Sequence, residues 1–265
     1  MSTTVPIIKS LQGKRVLVTG GSAGIGKATA LQFDANGCTV AVLGRRLERL
    51  EAVVKMMKDG HAIVADLTKE EDMKRAIEEA TAKMGGLDIL VNSGGAVTEE
   101  MHGQDGIAYL SAIKLHVTGN LALIRAAEEE LVKNKGAVVN VSSVAAAIPF
   151  LNMAPYCAAK AAQDAMTRNL ALEFATKGVR INSVLPGAIK TEIFEDMAQK
   201  RGVTLEQFTE GMGAYHAMRR AGEAEECAAA IVFLASDAAS FITGVNLPVD
   251  GGSLLGFWFN QQSIL

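Results

Sequence analysis

Short runs of β-branched and apolar residues recur along the chain, and the stretches between them are long enough for helices. Runs of four to six such residues bounded by turn-forming residues are typical of buried strands. They predict seven strands, at Arg15–Thr19, Thr39–Leu43, Ala62–Ala65, Ile89–Asn92, Ala137–Val141, Arg180–Leu185 and Val245–Val249.

The intervening stretches carry helical spacing of apolar residues, for example Ile25 with Ala28 and Met73 with Ile77. Regular alternation of strand and helix is typical of a parallel sheet, because parallel strands need crossovers and the crossover helices cover both faces. The sequence therefore predicts a doubly wound α/β fold with a seven-stranded parallel sheet, a Rossmann-type domain formed by residues 1–265.

One segment, 192–220, breaks this alternation between the sixth and seventh strands. It is rich in Met, Phe and Gly and carries scattered charges. Long connections in compact domains are usually functional or disordered. Two interpretations are open, a lid or substrate loop and a solvated helical insertion without ligand contact.

Composition narrows the range of partners. The chain has 265 residues, 49% of them hydrophobic, a formal net charge of −3 and no run rich in Lys or Arg. A nucleic acid or an anionic membrane surface is therefore not expected as a partner. The odd set Cys38, Cys157 and Cys227 without Cys-x-x-Cys spacing, and a first segment without the pattern of a secretory signal, favour free thiols in the cytoplasm.

The uncharged stretch 136–159 is long enough to span a bilayer. Its alternating valines are typical of a strand end, and Pro149 and Pro155 would interrupt a membrane helix. We interpret it as a buried strand followed by a loop.

A glycine-rich turn follows the first predicted strand and leads into the first predicted helix, with the sequence Thr-Gly-Gly-Ser-Ala-Gly-Ile-Gly at 19–26. Glycines let the backbone turn sharply and approach a pyrophosphate, and a helix N-terminus offers unpaired N–H groups and a positive dipole end. The position between strand and helix therefore predicts a dinucleotide-binding turn.

A second pattern carries proton chemistry. Tyr156 and Lys160 are four residues apart at the predicted start of a helix, hence on one face, and Ser143 lies thirteen residues before Tyr156. Hydride transfer to a carbonyl needs a group that protonates the oxygen near neutral pH. A free tyrosine has a pKa of about 10 and a nearby cation typically lowers it by about one to three units, so Lys160 alone can fall short.

The glycine turn, the Ser143, Tyr156 and Lys160 pattern and the strand order together resemble the short-chain dehydrogenase/reductase family, over nearly the whole chain. The resemblance implies a nicotinamide-dependent oxidoreductase. In it Tyr156 would be the general acid or base, and Lys160 would lower the pKa of Tyr156 together with the positive nicotinamide ring. Ser143 would donate to the substrate oxygen.

The end of the second strand bears on the cofactor. An acidic residue there would bond the adenosine ribose of NAD, but this chain has Gly44, Arg45 and Arg46. Two guanidinium groups favour a 2′-phosphate, so NADP (NADPH) is expected rather than NAD, with Arg45 the stronger candidate. The alternative is that both arginines are exposed charges at a helix start.

The resemblance implies further cofactor contacts. One of them, Asp66, could equally be an N-terminal helix cap. The implied cofactor-binding residues are Gly20, Ser22, Gly24, Ile25, Gly26, Arg45, Arg46, Asp66, Leu67, Asn92, Gly94, Tyr156, Lys160, Pro186, Gly187, Ile189 and Thr191.

One position departs from the family pattern. His116 stands where the family has a helical asparagine that helps hold a water linking the lysine to solvent, in part through its backbone carbonyl. Three interpretations are open, a tolerated packing substitute, a titratable member of the relay with a pKa near about 6.5, and a sign of lost activity. The complete trio argues against the third.

The expected function is an NADP-dependent carbonyl reductase or alcohol dehydrogenase, and the alternative is a catalytically weak or inactive NADP-binding regulator. The residues expected to line the substrate site are mostly apolar, which favours a hydrophobic ketone or secondary alcohol. No histidine has metal-ligand spacing, so no metal is expected. The resemblance implies a homodimer or homotetramer, to which the alanine-rich helix 154–177 and the apolar tail 254–259 could contribute.

Overall fold

A computed structural model describes residues 8–95 and 105–256, and its main feature is a parallel sheet with the strand order β3-β2-β1-β4-β5-β6-β9. All seven predicted strands are confirmed, with the third beginning earlier than predicted. They are β1 (Arg15–Thr19), β2 (Thr39–Gly44), β3 (Gly60–Val64), β4 (Ile89–Asn92), β5 (Ala137–Val141), β6 (Arg180–Pro186) and β9 (Asn246–Val249). A second, two-stranded parallel sheet pairs β7 (Ile189–Lys190) with β8 (Gly222–Glu223).

Helices cover both faces of the large sheet, so the predicted doubly wound α/β fold is confirmed. Within the described residues they are α1 (Gly24–Ala35), α2 (Leu47–Val54), α3 (Glu70–Met84), α4 (Gly106–Ile113), α5 (Gly119–Ala126), α6 (Glu128–Lys133), α7 (Ala154–Ala175), α8 (Glu192–Arg201), α9 (Leu205–Gly213) and α10 (Ala224–Ala235). A single π-helical turn, Lys114–Thr118, joins α4 to α5.

The core forms two layers because side chains alternate along each strand. Val16 and Val18 of β1 point into the layer that α1, α2 and α10 close. Leu17, between them, points into the opposite layer, which α3, α5, α6 and α7 close. Met73 and Ile77 of α3 are buried there, as their spacing predicts.

The strand order places the ligand-binding edge. The chain builds β1, β2 and β3 in one direction and then returns to the other side of β1 with β4. Ligands in such sheets bind beyond the carboxyl ends of the strands at this reversal. The glycine turn follows β1 and the Ser143 region follows β5, so both lie at this edge.

Two segments flagged by hydropathy have different structures. The stretch 136–159 holds β5, a 3-10 turn and the first residues of α7, as interpreted from sequence. Among the described residues, the continuous helical stretch Gly106–Ala126 alone has the length and apolar composition of a membrane span. Core helices of soluble proteins have the same composition, so the observation is weak evidence for a membrane.

Candidate active site

A cleft of about 1370 Å³ runs along the carboxyl edge of the sheet, from the arginines after β2 to Tyr156 on α7. Four segments after β1, β4, β5 and β6 form its floor, and 192–220 contributes one wall. The sequence-predicted site residues line it with one exception, Asn92. Asn92 is buried, and its side chain donates instead to Asn140 Oδ1 at 2.9 Å, tying β4 to β5.

The glycine turn has the geometry that a phosphate-binding backbone requires. A Cβ on Gly26 would lie 2.4 Å from the Gly20 carbonyl oxygen, and Gly24 has a φ of +49°, a conformation that favours glycine. Helix α1 begins at Gly24, and its N-cap, Ala23, supplies no side-chain cap. Its first N–H groups are therefore available to an anion.

A carboxylate of the chain itself lies at the N-terminus of α1. The Gly24 N–H donates to Glu192 Oε2 at 3.1 Å, and Glu192 is the first residue of α8 in the 192–220 segment. A carboxylate is a stand-in for a phosphate oxygen at such a site. The turn thus fits a pyrophosphate. A bound phosphate oxygen and the Glu192 carboxylate would compete for the Gly24 N–H.

The end of the cleft beside β2, where an adenosine is expected, is positively charged. Arg45, Arg46 and Arg49 are exposed and line it. Opposite them, Asp66 accepts from the Thr68 N–H at 2.9 Å and from the Thr68 hydroxyl at 2.8 Å. Burial raises the pKa of Asp66, but these hydrogen bonds and the charge of Arg45 lower it by more. The pKa of Asp66 therefore lies below its usual range.

The interpretation of Asp66 as a helix cap is wrong. Helix α3 begins at Glu70 with Lys69 as its N-cap, so Asp66 lies one turn too early to bond the first N–H groups. The carboxylate instead closes a turn with Thr68 two residues on, a preferred arrangement for Asp. Asp66 and Leu67 both line the cleft.

Ser143, Tyr156 and Lys160 come together at the other end of the cleft. Ser143 follows β5 and caps a 3-10 turn, its hydroxyl accepting from the Ala145 N–H at 3.1 Å. Helix α7 begins at Ala154 with Pro155 in its first turn, where proline is tolerated. Tyr156 and Lys160 therefore lie on its first turns, with Lys160 Nζ 5.7 Å from the centre of the tyrosine ring.

Burial displaces the pKa values of both residues. It raises the pKa of Tyr156 to about 12, against a hydrogen bond with Ser143 that lowers it. It lowers the pKa of Lys160 to about 7, against the negative charge of Asp164 that raises it. With the chain's own groups alone, Tyr156 is a protonated phenol at neutral pH. The expectation that Lys160 brings the pKa of Tyr156 toward 7 therefore needs a further positive charge in the cleft.

Two hydrogen bonds inside the protein hold the ammonium group of Lys160. Its Nζ donates to the Val141 carbonyl oxygen at 2.9 Å and to Gln163 Oε1 at 3.0 Å, and the residue is 4% exposed. An ammonium has three N–H donors. Two are used inside the protein, and one is left for the cleft.

His116 lies in the π-helical turn, a distortion that often occurs at functional sites. The residue is buried, and its ring meets the Tyr156 ring edge to face at 5.4 Å between centres. Its backbone carbonyl oxygen accepts from Asn120 Nδ2 at 2.9 Å.

His216 connects the 192–220 segment to the loop after β6. Its Nε2 accepts from the Ala188 N–H at 3.0 Å, and Nδ1 lies 3.0 Å from the Met212 carbonyl oxygen. The imidazole is therefore the neutral tautomer with its proton on Nδ1. Ala188 lies between Gly187 and Ile189, two of the predicted cofactor contacts, so this histidine fixes the backbone that carries them.

Sequence reasoning missed three polar residues of this region, Glu192, Gln163 and Asp164. Asp164 had the pattern of a solvated or interface charge, but it is buried, 3.5 Å from the Ser183 hydroxyl of β6. Burial raises the pKa of its carboxyl group. The one available signal was spacing, because Gln163 and Asp164 lie one helical turn after Lys160.

Other expectations concern residues outside the cleft. All three cysteines are free thiols, as predicted. In ranges 8–95 and 105–256, no group of three His, Cys, Asp or Glu residues has the arrangement of a metal site. His102 and the apolar residues 257–259 of the tail lie outside the described residues.

Comparison with known proteins gives consistent relatives. A family model described as enoyl-(acyl carrier protein) reductase matches residues 20–253. Glucose 1-dehydrogenase of Gluconobacter oxydans is 39% identical, over 95% of this chain and 96% of that enzyme. 3beta-hydroxysteroid dehydrogenase 1 of Eggerthella lenta is 36% identical, over 95% and 98%. The crystal structure of L-sorbose reductase from Gluconobacter frateurii, complexed with NADPH and L-sorbose, is 26% identical with a TM-score of 0.86 and coverages of 93% and 98%.

Proposed function

Since the chain belongs to the short-chain dehydrogenase/reductase family and is an oxidoreductase by that membership, we propose that it transfers a hydride between NADP(H) and a carbonyl or secondary alcohol carbon. The observation that carries the proposal is the shared cleft. Ser143, Tyr156 and Lys160 lie at one end, and the glycine turn and Arg45 lie toward the other. One bound dinucleotide would thus reach both ends.

The proposed reaction divides into a hydride and a proton. When bound, the nicotinamide supplies the hydride to the carbonyl carbon or takes it from the alcohol carbon. In reduction, the Tyr156 hydroxyl gives its proton to the carbonyl oxygen as the new C–H bond forms. Its raised pKa keeps this proton in place at neutral pH. In oxidation the same oxygen takes the proton from the alcohol.

Ser143 and Lys160 support that proton transfer. The Ser143 hydroxyl, beside Tyr156, would donate to the substrate oxygen while negative charge develops there. Lys160 would place a positive charge beside the tyrosine oxygen and bind the ribose with its remaining N–H. Both groups are held by fixed hydrogen bonds, so little reorganisation is needed.

NADP rather than NAD is proposed because of the charge at the adenosine end. Arg45 and Arg46 follow β2 where an acidic residue would bind the ribose of NAD. Both are exposed to the cleft and neither needs to leave a buried position to reach a phosphate. Asn92 is proposed as a support of the β4 end and not as a side-chain contact.

The substrate end suggests a neutral molecule with an apolar body. Ile148, Phe150 and Met153 line it together with Phe194 and Met212 of the 192–220 segment, and Glu195, Asp196 and Arg201 of the same segment also line the cleft. We propose that this segment is a lid over the substrate. It contains α8 and α9 rather than an open loop, and Thr191, the residue before it, lies next to Gly24 of the glycine turn.

His116→Asn is expected to keep hydride transfer within about tenfold of wild type, because His116 acts as packing and its carbonyl is retained. Steady-state kcat with NADPH and one carbonyl substrate measures this. A larger loss would contradict the packing interpretation. Loss of the acidic break in the pH profile would instead support a titrating relay.

The chain is proposed to act in the cytoplasm as a single domain that forms homodimers or homotetramers, with neither a nucleic acid nor a membrane as partner. Helices α4 and α7 pack together, and Ile107, Leu110 and Leu172 on them are 70%, 71% and 78% exposed. Exposed apolar residues on adjoining helices are typical of subunit contacts. Sedimentation at micromolar concentration is expected to give a dimer or larger species, and a monomer would contradict the proposal.

The proposed activity is tested by oxidation of NADPH, and separately of NADH, against a carbonyl panel. The panel includes a keto sugar and a 3-oxoacyl thioester, which correspond to the substrates named for two reductases, and a 3-ketosteroid, the oxidised form of a 3beta-hydroxysteroid. The expected result is turnover of an apolar ketone with preference for NADPH. Tight NADPH binding without turnover of any carbonyl would favour a binding regulator instead.

A further inference from the structure

The environment of Lys160 contains a side chain whose presence the fold alone does not explain. Gln163 lies one turn after Lys160 on α7 and is completely buried. Its Oε1 accepts from Lys160 Nζ at 3.0 Å. Its amide nitrogen has no hydrogen-bond partner among the described residues.

A glutamine at this position lowers the stability of the folded protein. A buried amide N–H without a partner is destabilising, and a leucine at this helix position would fill similar space without that cost. Within the described residues, the Gln163 side chain makes one hydrogen bond, which its Oε1 accepts from Lys160 Nζ. The residue type is therefore explained by the ammonium group and not by the core.

We propose that Gln163 is a positioning residue for Lys160, which keeps the ammonium group charged and directs its third N–H into the cleft. The proposal rests on the proposed function, because it is the hydride-transfer chemistry that uses this charge. The Val141 carbonyl and the Gln163 amide oxygen form two sides of a fixed cradle. A lysine held in this way cannot swing out of reach of Tyr156.

The charge state is the quantity at stake. Burial lowers the pKa of Lys160 to about 7, so the ammonium is close to losing its proton at neutral pH. An acceptor bonded to the ammonium favours the charged form. The other titratable groups near Lys160 are Tyr156 and Asp164 on α7, with His116 and Lys114 on the π-helical turn packed against it. Arg180, the charged residue of β5 and β6, lies at the opposite end of β6 and donates to the carbonyl oxygens of Leu234, Ala235 and Ser236.

Gln163→Leu and Gln163→Glu test the proposal through the pH profile of kcat/KM and of NADPH affinity. Without the amide acceptor, the alkaline fall of the profile is expected about one pH unit lower, with about a tenfold loss of kcat/KM above neutral pH. A carboxylate accepts the same bond and adds charge. In Gln163→Glu the alkaline fall is therefore expected at higher pH than in wild type.

Gln32→Leu is the matched control, because Gln32 is also buried but bonds the Glu225 carbonyl oxygen, away from Lys160. It is expected to lower the melting temperature and leave the pH profile in place. Profiles of both Gln163 variants that coincide with wild type would overturn the proposal. If neither the wild-type protein nor any variant turns over a carbonyl, the proposed hydride-transfer function is contradicted. The pH dependence of NADPH affinity then still decides the role of Gln163.

Discussion

Tyr156→Phe is expected to lower kcat for carbonyl reduction by about 10³- to 10⁴-fold and to leave NADPH affinity within about threefold of wild type. The change removes the hydroxyl that donates the proton and keeps the aromatic ring that His116 meets edge to face. Ser143 and Lys160 stay in place, because neither depends on the phenol for its own backbone contacts. The loss therefore isolates proton transfer from binding.

The measurement pairs steady-state kcat with NADPH binding followed by fluorescence. Tyr109→Phe is the matched control, since Tyr109 on α4 does not line the cleft. It is expected to keep wild-type activity. A Tyr156→Phe variant that retains more than a tenth of the wild-type kcat would show that another group supplies the proton.

Arg45→Asp is expected to change the cofactor preference, lowering the ratio of kcat/KM for NADPH over NADH by about 100-fold. The arginine is exposed at the end of β2, and its charge already lowers the pKa of Asp66, at the proposed adenosine end of the cleft. A carboxylate in its place would repel a 2′-phosphate and could accept from a free ribose hydroxyl. Loss with NADPH and gain with NADH are therefore expected together.

Lys74→Asp makes the same change of charge on the exposed side of α3, where Lys74 pairs with Glu78 at 3.8 Å. It controls for long-range effects of net charge, and its ratio is expected to match wild type. An unchanged ratio in Arg45→Asp would mean that Arg45 is only an exposed helix charge, the alternative left open by the sequence.

The five inner strands, β1, β2, β4, β5 and β6, were predictable because they are buried on both faces, whereas the edge strands β3 and β9 are partly exposed. Strands buried on both faces are continuous apolar runs, and all seven strands were located from sequence with small errors at their ends. The helices of the 192–220 segment were harder, since only the capping box of Thr204 and Gln207 marks a helix start there. The grouping of Ser143, Tyr156 and Lys160, the proposed catalytic residues, was predictable because their spacing is local in sequence.

Contacts between distant segments were not predictable. The bond from Gly24 to Glu192 joins residues 168 apart in sequence, and nothing local to either residue signals it. Charged residues are mostly exposed, so the pattern around Asp164 is that of a solvated or interface charge, whereas the residue is buried beside a serine of β6 in the folded chain. The π-helical turn at His116 has the same apolar spacing as an ordinary helix, and only the backbone distinguishes the two.

Transfer of deuterium from C4-deuterated NADPH to the carbonyl carbon of a substrate is the direct test of hydride transfer by this protein. Both C4 epimers of the labelled cofactor are supplied separately to the wild-type protein, and the alcohol product is analysed by mass spectrometry. One epimer is expected to give alcohol carrying one deuterium on the former carbonyl carbon, at a rate that Tyr156→Phe nearly abolishes. NADPH that binds tightly while no carbonyl gains deuterium from either epimer would contradict the proposed hydride transfer.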